Sequence, residues 1–137
     1  MSYDLREHTA DVAVEATGET LGATFGAVAD GMAAAMCDTI PQTGERRQVD
    51  VTAESRDALL FDYLDELIYE RDVRSVLPTD NEATISRDAD GRWHLSGSYR
   101  GVSLSAVTAR DLKAVTYSEM EIEETTTGWR AYVVFDV

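Results

Sequence analysis

Asp11, in the run His8-Thr9-Ala10-Asp11-Val12, and Asp136, one residue before the terminal Val137, are the residues of this chain best suited to site chemistry. Asp11 stands at the entry to one predicted strand and Asp136 at the exit of another. If a fold made those strands neighbours, both carboxylates and the terminal oxygens of Val137 would meet as hard, anionic donors. Such a set suits Ca²⁺ or Mg²⁺ rather than zinc or copper. A shared cation would also relieve the repulsion of negative groups crowded beside Phe135. Spacing alone leaves a plainer alternative open, two unrelated strand-end aspartates, because the pair is 125 positions apart.

Lys113 is the third candidate. Among 12 basic residues it is the single lysine, the rest being arginine. A compact ammonium and a planar guanidinium are not interchangeable at a site. One reading is a position that needs a mobile point charge; the other is a surface lysine kept by chance. Other chemistries find little support. His8 and His94 are the only histidines and Cys37 is the only cysteine, which excludes a His-rich or Cys-based zinc site and an intramolecular disulfide. Cys37, next to Ala33, Ala34, Ala35 and Met36, reads as a small buried hydrophobe. There is no Walker loop, G-x-G-x-x-G or G-x-S-x-G elbow. Composition permits a Ser-His-Asp triad, but no local pattern suggests one.

The 26 acidic against 12 basic residues give a net charge of -14. Acidic excess with lysine depletion looks like adaptation to a high-salt cytoplasm, where a short Debye length relieves self-repulsion. Most carboxylates therefore need no site role. The same field disfavours non-specific nucleic-acid binding, which requires a basic stripe. No apolar run is long enough to span a membrane, and the start lacks the features of a signal peptide, so a cytoplasmic protein is expected.

Several elements must position these residues. Tyr3 to Glu7 and Val12 to Thr17 read as short strands around the turn-like H-T-A-D. Thr20 caps a helix with the stripe Leu21, Phe25, Val28, Met32 and Met36. A strand follows over 48–54, and Ser55 caps a second helix, to about Arg71, with Leu60, Leu64, Leu67 and Ile68 inward. Asp62, Asp65, Glu66 and Glu70 form its expected wet face, and Arg71 complements the helix dipole at its end. A hairpin over 83–100 turns at D-A-D-G and is broken by Gly101. The segment 104–111 is ambiguous between a short helix and an irregular connection. Strands are expected over 113–117, 120–124 and 129–137. Early helices and late hairpins predict one α+β domain over 1–137, a mostly antiparallel or mixed sheet with two helices on one face.

H-T-A-D-V at the start, K-A-V-T-Y at 113–117 and G-W-R-A-Y-V-V-F-D-V at the end together resemble the archease family across the whole chain. That resemblance implies an accessory protein, not an enzyme: an activator of the RtcB-type RNA ligase of tRNA splicing. Such a protein promotes the ligase's GTP-dependent guanylylation and turnover. It also implies metal ligation by Asp11, Asp136 and a main-chain oxygen of Val137, with calcium the family's ion and Mg²⁺ or Mn²⁺ as alternatives. Lys113 corresponds to the family's functional lysine. The chain departs from the pattern at Ala13, where the family often has Gly, and at Ser118, where it usually has His. His8 is either a structural residue beside Asp11 or part of the working surface. The competing reading is a free-standing metal-dependent phosphohydrolase built on the same cluster.

Overall fold

The computed structural model describes residues 11–137; the expected strand at Tyr3 to Glu7 and the candidate His8 lie outside them. The element order is β1 (Asp11–Gly18), α1 (Leu21–Met36), β2 (Glu45–Ala53), α2 (Arg56–Arg74), β3 (Val76–Arg87), β4 (Trp93–Ser103), a 3₁₀ turn (Leu104–Ala106), β5 (Ala114–Glu124) and β6 (Trp129–Asp136). The strands pair antiparallel in two three-stranded sheets, β1-β6-β5 and β2-β4-β3. The class is α+β, as the order of elements predicts. That the strands divide between two sheets was not foreseen, because periodicity reports which residues face inward and says nothing of which strands pair.

Both helices start where side chains can satisfy the first free amides. Thr20 Oγ1 accepts from the Ala23 N–H at 3.0 Å, and Ser55 Oγ accepts from the Ala58 N–H at 3.1 Å. Their apolar stripes are buried as expected, with Phe25, Val28, Met32, Leu60, Leu64 and Leu67 fully enclosed. Burying each larger side chain is worth about 1.5–3 kcal/mol. Cys37 is buried too, its thiol against the Thr39 carbonyl. Helix α1 lies on β1, β3 and β6, whereas α2 covers β5 and the β2-β4-β3 sheet. The glycines of α1 set how near it comes to β3. A Cβ on Gly22 would overlap the Ala83 carbonyl, and one on Gly26 would sit 2.9 Å from the Asn81 carbonyl oxygen.

Several boundaries differ from expectation. Gly101 does not end β4, since it pairs with Glu45 on one side and Pro78 on the other. β3 begins at Val76 rather than Ala83; it is an edge strand, where Pro78 is tolerated. The two short strands expected over 113–124 are one strand, β5, with a bulge between Thr116 and Glu121 and Glu119 at φ 61°. The ambiguous 104–111 holds only the 3₁₀ turn, and an irregular strap then leads into β5.

Glu70 is not on the wet face of α2. It is 8% exposed and accepts from Tyr99 Oη at 2.6 Å and Arg74 Nε at 2.8 Å. Burial pulls this carboxyl upward, but the Tyr99 and Arg74 hydrogen bonds outweigh that and hold it below the usual glutamate value. A lowered folded-state value means stability that is full above the unfolded value and lost as pH falls through the folded one. Tyr99→Phe should therefore lower stability by about 1–3 kcal/mol at neutral pH. It should also move the acid limb of unfolding to higher pH, as thermal melts across pH 3–7 (roughly the carboxylate range) would show.

Candidate metal centre at the sheet tip

The β1-β6 register sets Asp11 directly opposite Asp136, and β5 places Ala114 opposite the same Asp136. Alternation along β6 buries Ala131, Val133 and Phe135 on one face; the other carries Val134, buried as well, and ends in the exposed Asp136. Asp11 shares that face, because Val12 and Val14 pair with Phe135 and Val133. The strand is thus apolar on one side and acidic at the tip of the other. Directly opposed residues of an antiparallel pair hold their Cβ atoms about 4.5–5.5 Å apart, and like charges there are destabilising. Val137, 39% exposed, follows immediately with its main-chain oxygens.

Lys113 arrives at the same tip. Its N–H donates to the Asp136 carbonyl at 2.9 Å, and its side chain is exposed. Among the described residues, no salt bridge reaches Asp11, Asp136 or Lys113. At the opposite end of this sheet face the chain supplies a cation of its own. There Arg130 binds Glu15 at 2.6 Å, Glu121 at 2.9 Å and Glu123 at 3.2 Å, and these partners push its pKa upward. No internal cation does the same for the Asp11/Asp136 pair among the described residues.

As a donor set, the tip supplies two carboxylates and main-chain oxygens. That fits a hard cation whose remaining positions are filled by water or by a second molecule's oxygens. It is too small to be a closed protein cage, and no group of three His, Cys, Asp or Glu residues converges among the described residues. Ser118 falls within the β5 bulge and is exposed, so a hydroxyl stands on the strand that carries Lys113 to the tip.

The structure also shows two arrangements that sequence reasoning missed. His94 Nε2 lies 2.8 Å from Asp88 Oδ2, and its Nδ1 lies 2.9 Å from Thr52 Oγ1. This Asp-His-Thr chain resembles a hydrolytic relay, but Asp88 Oδ1 also caps the D-A-D-G turn by accepting from the Asp90 and Arg92 amides. Its geometry is that of a turn staple on an exposed sheet face. The second is Arg71, which is 8% exposed and turned inward instead of marking a wet helix end. An arginine in the last turn of an amphipathic helix looks the same in sequence whether it points out or in.

A small α+β protein with a divided antiparallel sheet and an acidic strand tip beside a lysine is the class that the fold and this site define. The family model described as "Archease protein family (MTH1598/TM1083)" matches residues 3–137. Protein archease of Methanosarcina mazei is 34% identical, over 98% of this chain and 95% of its own length. That of Methanothermobacter thermautotrophicus is 33% identical over 98% of each chain. The solution structure of Methanobacterium thermoautotrophicum protein 1598 superposes with a TM-score of 0.81 at 33% identity, covering 98% of this chain and 96% of that one. A crystal structure of a Thermotoga maritima archease, described as a possible chaperone, shares the fold with a TM-score of 0.65 at 20% identity, covering 100% and 98%. The chain belongs to the archease family.

Proposed function

We propose that this protein activates an RtcB-type RNA ligase of tRNA splicing, promoting GTP-dependent guanylylation and repeated turnover of the ligase without joining RNA itself. The observation that carries this reading is the pairing of Asp11 with Asp136 beside the backbone of Lys113. Asp11, Asp136 and the main-chain oxygens of Val137 would hold a divalent cation, calcium first, with magnesium or manganese as substitutes. When bound, the ion supplies positive charge for phosphate oxygens. Lys113, exposed and free of carboxylate partners among the described residues, offers its ammonium to a phosphate of GTP or of the guanylylated ligase. The net charge of -14 favours contact with tRNA through the ligase rather than directly. No helix of the described residues is long and apolar enough to cross a membrane, in keeping with action in the cytoplasm.

The test mixes ligase, GTP and RNA ends with wild-type protein or Asp136→Asn. Wild type should give repeated ligation and the variant little beyond one turnover. Undiminished activation by Asp136→Asn would leave only an adaptor role. Nucleotide hydrolysis by the protein alone with Mg²⁺ would replace the reading by a phosphohydrolase.

A further inference from the structure

The carbonyl of Leu112 and the N–H of Lys113 belong to one peptide unit, which is planar and rigid. Both of its polar atoms are held. Arg71 Nη1, from the last turn of α2, donates to the Leu112 carbonyl at 2.8 Å, and the Lys113 N–H donates to the Asp136 carbonyl at 2.9 Å. We infer that Arg71 is a positioning residue: its guanidinium and the C-terminal strand clamp this peptide plane and so fix Lys113 relative to Asp136. The inference rests on the activator reading for its functional meaning, and on the geometry alone for the clamp.

The guanidinium is itself held in place. Its Nε and Nη2 each lie 2.9 Å from Asp72 Oδ1, and Nη1 lies 3.3 Å from the Met36 sulfur. With its side chain 10% exposed, Arg71 donates in a poorly hydrated setting, where a charge-assisted hydrogen bond is strong. The strap that precedes Lys113 needs such a tether. Residues 107–113 join no sheet ladder, and a cleft of about 490 Å³ lies beneath them, lined in part by Met36, Arg71, Leu104, Val107 and Arg110. Val107 packs against the core and Leu112 is buried, but between them the strap borders the cleft. Its other attachments include the buried side chain of Leu112, Asp111, whose carboxylate lies 3.8 Å from Arg71 Nη2, and Arg110. The Arg110 N–H and Nε donate to the Met36 and Ala35 carbonyls at the end of α1, at 2.6 and 3.2 Å. These hold the middle of the strap, whereas Arg71 acts on the peptide that enters Lys113.

The test separates the clamp from the ligase reading. Amide hydrogen exchange of Arg71→Gln should show the Lys113 N–H exchanging about tenfold faster, the order expected for losing one charge-assisted hydrogen bond. That acceleration should exceed the change at the Leu64 amide, deep in α2, which reports global stability. Arg71→Lys, which keeps a donor, should recover part of the protection and guards against a variant that merely unfolds. Equal acceleration at Lys113 and Leu64 overturns the clamp. In ligase assays, Arg71→Gln should lower stimulation at saturating protein, and adding it to Lys113→Ala should cause no further loss. Additive losses overturn the positioning role. If the wild-type protein does not stimulate the ligase, the activator reading fails; if Lys113→Ala leaves stimulation intact, Lys113 has no part in it; in both cases exchange at Lys113 still decides the clamp.

Discussion

Lys113→Ala should reduce stimulated ligase turnover by on the order of a hundredfold, the scale of removing one positioned charge from a phosphoryl-transfer site. The same change should leave unfolding within about 0.5 kcal/mol of wild type, because an exposed side chain without carboxylate partners among the described residues contributes little to the fold. The lysine's backbone bond to the Asp136 carbonyl survives truncation, so the sheet tip stays formed. Lys113→Arg should restore charge without restoring full activity, since a planar fork replaces a compact point charge. Multiple-turnover guanylylation with GTP measures all three proteins. Wild-type rates with the alanine variant would remove Lys113 from the mechanism.

The largest loss of stability is expected from Gly22→Val. The face of α1 that carries Gly22 and Gly26 lies against the β3 backbone, and the Ala83 carbonyl occupies the place of a Gly22 side chain. Backbone cannot rotate away as a flexible side chain would, so α1 must lift from β3. Overpacking of this kind costs about 1–3 kcal/mol and more where backbone must move. The separation also loosens the contacts of Phe25 and Val28, both fully buried. Chemical denaturation should show a lower midpoint with an unchanged slope. Gly31→Ala is the internal control, since the nearest atoms its Cβ would meet belong to the Val14 side chain and not to backbone, so its effect should be smaller.

Much of this architecture was legible in the residues because it follows from local rules. Thr20 and Ser55 announce their caps, and the stripes of both helices fall on the buried faces they predict. The alternation in β6 correctly separated Phe135 from Asp136. What was not legible depends on distant partners. Glu70 looks like any helix-surface glutamate until Tyr99, 29 residues later, supplies its hydroxyl. Arg71 has the composition of a helix end, and only the return of the strap at Leu112 gives it a buried acceptor. The glycines of α1 suggested no motif because their partner is the carbonyl edge of β3, which carries no residue signature. For the tip, sequence could state the condition that β1 and β6 be neighbours, and the register meets it.

The central claim is that Asp11 and Asp136 share a divalent cation with the main-chain oxygens of Val137. A crystal grown with Ca²⁺ tests it most directly. One ion should lie about 2.3–2.6 Å from a carboxylate oxygen of each aspartate, the usual span of calcium–oxygen bonds. A well-ordered tip with both carboxylates bound only to water, in crystals saturated with the ion, would contradict it.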